Sequence, residues 1–199
     1  EMSASLVGSE MCIRDRPYVN EMFNEDHVGY DTQQEFEVGY DESYDRITIP
    51  IRDDLGNLVG VKGRYFFRKV PENVQKFIYL EKCARSQILY GLYKTLPYIK
   101  NRNRVFITEA EKGVMQLWNA GYYEAVATGG KKISKCQIDK LTRLCVPLYF
   151  VFDKDVEQDE LKEEKKELQK EQKELQKEQN ELKEDQKIIR EMDEKTQHQ

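Results

Sequence analysis

No hydrophobic run in the chain approaches the roughly 18 consecutive apolar residues that a membrane-spanning helix requires, so no membrane partner is expected. Its start also lacks the charged, apolar and small-residue succession of a secretory signal. Histidine is nearly missing: His27 and His198 stand alone, one of them in the tail, and give no support to a nucleophilic site built on an imidazole base. The four cysteines, Cys12, Cys83, Cys136 and Cys145, are far apart with no C-x-x-C pair, so neither a zinc ribbon nor a disulfide framework is readable. Together these absences fit a soluble protein of a reducing, cytoplasmic compartment. Apolar residues are scarce too, at 39% of 199 positions. That fraction is low for one compact domain, so part of the chain is expected to lie outside any core.

Charge is plentiful and unevenly placed. Residues 1–45 carry 2 basic and 12 acidic side chains, residues 46–143 carry 19 and 8, and residues 156–199 carry 10 and 15. The strongly basic middle block attracts polyanions, as a nucleic-acid channel must; on charge alone a solvated basic surface stands only slightly behind that reading.

The two ends differ from the middle. Residues 3–16, SASLVGSEMCIRDR, show no periodicity that fits a core and resemble a translated sequencing-adapter remnant. Residues 1–16 are therefore set apart as a non-native or disordered leader. From Gln158 the chain is almost wholly Glu, Lys, Gln and Asp, with Leu161, Leu168, Leu175, Leu182 and Ile189 recurring every seven residues. This spacing predicts a long helix over 158–199. The positions that would complete a coiled-coil seam, Lys165, Gln172, Gln179 and Gln186, are polar, so a solvated charged helix with weak self-association or a partner helix is expected.

The middle reads as α/β. RITIPI (46–51) alternates with β-branched residues, and Asp53-Asp54-Leu55-Gly56-Asn57 turns the chain into LVGV, which predicts a hairpin. SQILYGLYKTL places Ile88, Leu89, Leu92, Tyr93 and Leu96 at helical spacing, with Pro97 as the stop. RVFIT (104–108), EAVAT (124–128) and PLYFVF (147–152) read as strands, separated by helices that carry Val114, Leu117 and Trp118 in one case and residues 133–144 in the other. Strand, helix, strand, helix, strand with short connections implies a parallel sheet with right-handed crossovers.

In such a sheet the carboxyl ends of the strands open onto the ligand crevice. Glu109 follows the first strand, Gly129 and Gly130 follow the second, and Asp153 and Asp155 follow the third. Alternation puts Asp153 and Asp155 on one side of an extended segment, where their oxygens can converge with Glu109 on a hard cation such as Mg²⁺. The competing reading makes these acids helix caps. Gly129 and Gly130 permit a close backbone approach to phosphate, although a plain turn needs the same residues. Trp118 fits a core position. Tyr65, Phe66 and Phe67, flanked by Arg64 and Arg68, can stack on single-stranded bases.

ITEAEKGVMQLWNAGYYEAVATGG followed by VFDKD resembles the Toprim domain of DnaG-type bacterial and phage primases. Upstream, FEVGYDESYDRITIPIRDDLGNLVGVKGR resembles the basic amino-terminal lobe of that primase core, and SQILYGLYK its joining segment. The resemblance implies a Toprim-like, Rossmann-type parallel sheet (101–157) preceded by a small mixed α/β basic lobe (17–100). It implies that Glu109, Asp153 and Asp155 hold Mg²⁺ or Mn²⁺, with no zinc in this chain. Arg52, Lys62, Arg64, Lys76 and Arg85 fall on or near basic positions that face template or nucleotide.

The function so implied is metal-dependent synthesis of short RNA primers. Its partners would be a single-stranded DNA template and ribonucleoside triphosphates, with a replicative helicase and a separate zinc-binding domain completing the primosome. Alternatives are a non-catalytic nucleic-acid-binding or scaffold fragment with the same fold, or a Toprim nuclease, against which only the upstream lobe argues. The sequence departs from the family at Ala110, where glycine is common, and at Gly113, where another acid is common. Glu111 is the nearest substitute, but helical spacing aims it elsewhere. The family's zinc-binding domain and its acids beyond D-x-D are also missing, as expected of an incomplete fragment.

Overall fold

The computed structural model describes residues 19–152, together with residues 170, 173, 174 and 177. The leader at 1–16 and the pair Asp153 and Asp155 lie outside the described residues, as does the tail at 158–199 apart from those four positions, which are helical and exposed. No helix among the described residues is long and apolar enough to cross a membrane.

Two short helices, α1 (Glu21–Glu25) and α2 (Tyr30–Glu35), lead into a four-stranded antiparallel sheet of β1 (Gly39–Asp41), β2 (Arg46–Arg52), β3 (Leu58–Tyr65) and β4 (Phe77–Glu81) in that order. The hairpin forms where the sequence predicts it, because the Asp53 carboxylate accepts the backbone N–H groups of Leu55 and Asn57, both at 2.9 Å. Helix α3 (Leu92–Arg102) then leads into the second unit: β5 (Val105–Thr108), α4 (Glu111–Asn119), β6 (Ala125–Ala127), α5 (Lys135–Arg143) and β7 (Leu148–Val151). Its three strands are parallel in the order β6-β5-β7, as the alternation of elements requires.

One prediction is corrected. The stretch from Ser86 is not one helix ending at Pro97: a short 3-10 turn at Arg85–Gln87 gives way to extended backbone at Ile88, Tyr90 bridges Ala127, and α3 starts at Leu92 and runs through Pro97 to Arg102. Gly91 causes the late start, since its φ of +83° is a left-handed conformation that glycine adopts without strain. Pro97 forfeits one helical hydrogen bond, and packing of Leu92, Thr95 and Ile99 outweighs that loss. The expected division at 100/101 thus falls inside α3, which packs with the parallel sheet through Leu92 and Ile99 against Val105, Ile107 and Val126.

The two sheets share a core. Ile47, Ile49 and Ile51 of β2 and Phe23, Phe36 and Val38 from around the short helices form one buried cluster with Val114 and Met115 of α4 and Ala125 and Ala127 of β6. Burial on this scale, at about 1.5–3 kcal/mol per large apolar side chain, fixes the basic sheet against α4. The amino end of α4 follows the carboxyl edge of β5 directly, so the same packing presents the basic sheet to the predicted ligand edge.

Candidate active site

At the carboxyl edge of the parallel sheet, Thr108 pairs with Val151, so β5 and β7 end level with each other. Glu109 comes next on β5 and lines a cavity of about 350 Å³ with Thr108, Lys112, Gly113, Gln116 and Val151. It is partly exposed and has no ion-pair partner among the described residues. A carboxylate left free at this edge has the chemistry of a hard-cation ligand. No group of three metal-ligating side chains occurs among the described residues, so Glu109 is the one member of the predicted triad whose surroundings are seen.

Glu111 behaves differently. The first turn of α4 carries it away from Glu109, and it is 3% exposed with an oxygen 2.6 Å from the Lys62 ammonium. Glu111 is therefore the counter-ion of Lys62 and does not substitute for the acid absent at 113. Gly113 itself has a steric reason: a Cβ there would lie 2.9 Å from the Cβ of Thr108. The close seating of α4 on the end of β5 leaves no room for an acidic side chain unless the backbone shifts.

Around this edge lie two further cavities. One of about 260 Å³ includes Arg64, Arg68, Lys76, Phe77 and Lys112 in its lining. Another of about 660 Å³ includes Lys62, Phe77, Tyr79, Lys82, Arg85 and Gly129. Lys112 is common to the Glu109 cavity and the first of these, and Phe77 to the two basic cavities, so the three adjoin. Aromatic rings support the cations. Arg85 sits 5.0 Å from the Tyr79 ring centre, Lys62 5.1 Å and Lys76 5.7 Å from that of Phe77. Burial, and then the charge of Glu111, push the Tyr79 phenol above its ordinary pKa.

The structure thus gathers Lys62, Arg64, Lys76, Arg85 and Gly129 along one face with Glu109. It gives them unequal freedom. Arg64 is buried and spends its guanidinium on the carbonyls of Tyr65 and Phe67. Burial lowers its pKa, and the nearby Asp26 opposes that shift. Lys76 and Arg85 are exposed. Arg52 is turned to a different task, a two-pronged pair with Glu37 at 2.7 and 3.0 Å and a bond to the Gly56 carbonyl. Gly129 holds a φ of +74°, and the position of a Cβ on Gly130 is open.

Sequence inspection missed Lys112, Lys82 and Asp26. Asp26 accepts from Arg68 at 3.3 Å and from the Lys112 ammonium at 3.0 Å. Burial raises its pKa, but the hydrogen bond and charge of Lys112 and the charge of Arg68 outweigh that and hold it below the ordinary carboxylate range. Nothing local marked it, because its partners lie 42 and 86 positions away.

The chain is 32% identical to the DNA primase of Rickettsia prowazekii over 110 residues and 33% identical to that of Legionella pneumophila over 121. It is related to the bacterial DNA primases. These matches cover 55% and 58% of the chain but only 18% and 20% of the relatives, so the chain spans about a fifth of the primases it matches. The RNA polymerase domain of Mycobacterium tuberculosis primase DnaG superposes with a TM-score of 0.62 at 17% identity, over 77% of this chain and 65% of that one. A crystal structure of the zinc-binding and RNA polymerase domains of the Aquifex aeolicus primase gives 0.59 at 20% identity, over 67% and 42%. The fold is that of the DnaG primase catalytic core. No protein-family model matches the chain.

Proposed function

We infer that this chain carries the catalytic core of a primase, joining ribonucleotides into short primers on a single-stranded DNA template. The observation that carries this is the run of adjoining cavities in which the exposed Lys76, Lys82 and Arg85 stand beside Phe77 and Tyr79, and Lys112 links the basic side to the cavity of Glu109, which has no ion-pair partner among the described residues. Exposed cations beside aromatic rings suit a single strand: Lys76, Lys82 and Arg85 meet its phosphates while Phe77 and Tyr79 offer faces for bases. Lys112, between the Glu109 cavity and the basic one, is placed to hold a nucleotide's phosphates near the edge carboxylates.

Glu109, with Asp153 and Asp155, is assigned as the holder of Mg²⁺ or Mn²⁺. When bound, such an ion would neutralise the triphosphate and offset the charge that builds as a ribose 3′-hydroxyl attacks the α-phosphorus in line and the bond to the departing pyrophosphate breaks. The chain's own task is positioning. Lys62 and Glu111, tied together across the lobes, fix the distance between the basic sheet and the first turn after Glu109. A zinc-binding domain and a replicative helicase are proposed as partners in the primosome; the Aquifex aeolicus structure, whose zinc-binding and polymerase domains occur together, supports the first.

One observation favours a second reading, a nucleic-acid-binding core without turnover: Gly113 leaves the edge one acid short of the family pattern. The experiment separates the two. Primer synthesis is assayed with labelled ribonucleotides on single-stranded DNA with Mg²⁺ or Mn²⁺, for the chain and for its Asp153→Ala, Asp155→Ala double variant. Product that requires the metal and disappears in the double variant is expected. DNA binding with no metal-dependent product, even after a zinc-binding domain is supplied, favours the second reading.

A further inference from the structure

Asp26 stands at an electrostatically awkward place. It caps the carboxyl end of α1, where the helix dipole repels a negative charge. Its side chain is nevertheless only 25% exposed and enters the cavity shared by Arg64, Arg68, Lys76 and Lys112, over an apolar floor of Phe23 and Ile49. Each of its two oxygens meets a different cation, Arg68 on one and Lys112 on the other. The backbone is held as well, since the Asp26 carbonyl accepts the Gln116 amide at 2.8 Å. A carboxylate at the wrong end of a helix, in a cavity also lined by Arg64 of β3, Arg68 of the following loop, Lys76 just before β4 and Lys112 of α4, breaks a local rule for a tertiary reason.

We propose that Asp26 holds the place of a phosphate group in this pocket and must give up Lys112 and Arg68 when a phosphate binds. The pocket's chemistry fits a phosphate: separated cations on several sides of a small cavity, with two donors already aimed at acceptor oxygens. Asp26 keeps these cations gathered before the ligand arrives, and its own charge opposes the ligand's. Binding is thereby weakened and biased toward phosphates charged enough to displace it. The proposal rests on the assignment of this face as a phosphate-binding surface, and it leaves two owners for the phosphate, a nucleoside triphosphate or a DNA strand.

The test compares the full chain with its Asp26→Asn variant at low ionic strength. Tripolyphosphate binding is followed by calorimetry, and binding of a labelled single-stranded oligodeoxynucleotide by fluorescence anisotropy. Asp26→Asn, which keeps the shape and removes the charge, is expected to bind about fivefold tighter, as suits one partly exposed charge pair. A gain for tripolyphosphate alone identifies the nucleotide's phosphates as the ligand; a gain for the oligonucleotide alone identifies the strand. Equal or weaker binding of both probes by the variant overturns the proposal. Should Asp26→Asn fail to fold, Lys112→Ala in the full chain must weaken binding of at least one probe about fivefold, and unchanged affinity for both overturns the proposal equally. Tighter binding by Asp26→Asn in a chain that makes no primers under any condition supports the proposal and counts only against catalysis.

Discussion

In the antiparallel sheet, the charges that look ligand-facing in the sequence are largely satisfied within the protein: Arg52 by Glu37, Lys62 by Glu111, and Arg64 by the carbonyls of Tyr65 and Phe67. The parallel sheet divides its charges by edge. At the start of its strands Glu124 is fully buried and held by Arg102 at 2.7 Å and Arg104 at 2.9 Å. At the other edge Glu109 has no such partner among the described residues. The contrast teaches that neutralised charges here set geometry and the remaining ones are available to a ligand. A basic residue in a family motif is thus as apt to be a strut as a contact.

The largest effect expected from breaking this division is at the buried pair. Lys62→Met strands the Glu111 carboxylate in the core and should cost about 3–5 kcal/mol in denaturant unfolding, while Lys62→Met with Glu111→Leu should recover most of that. If the single variant costs under about 1 kcal/mol, Lys62 is not a strut. Glu109→Gln probes the opposite class. Primer synthesis should fall about 100-fold, or about 2.7 kcal/mol in barrier, with unfolding unchanged. A stability loss in this variant would place Glu109 among the structural charges.

Gly113→Asp asks whether the absent acid can be restored. Contact with Thr108 should destabilise the chain by about 1–3 kcal/mol, and Mn²⁺ affinity measured by calorimetry should not rise. A stable variant with tighter Mn²⁺ binding would show that the seating of α4 is not what excludes an acid.

The smallest effect concerns Asp26 and pH. Its folded pKa lies below the ordinary carboxylate value, so its ion pairs contribute fully above the unfolded pKa, about 3.9, and the contribution fades as pH falls through the folded value. The stability difference between the chain and Asp26→Asn should therefore be flat from about pH 5 to 7 and shrink below about pH 4, by under about 1 kcal/mol. A difference that grows on acidification contradicts the sign of the shift.

Local pattern carried much of the fold. The hairpin at 53–57 was legible because an Asp side chain closes its own turn, and β5, β6 and β7 because short apolar runs between helices have few alternatives in a parallel sheet. The segment from Ile88 to Tyr90 was not legible, since its helical spacing yields to a bridge with Ala127 and to the left-handed turn at Gly91. Glu109 was readable as an edge residue, and Asp26 was not.

By itself the sequence determined the order of elements, the parallel edge at which Glu109 stands and the net basic character of the middle block, because these follow from periodicity and from composition along the chain. Only the tertiary structure decided which charges are spent. Lys62 meets Glu111 across 49 positions and Lys112 meets Asp26 across 86, and no local spacing encodes such a meeting. Whether a side chain is a strut or a contact depends on what the folded core brings within about 3 Å of it, the range of a charge-assisted hydrogen bond.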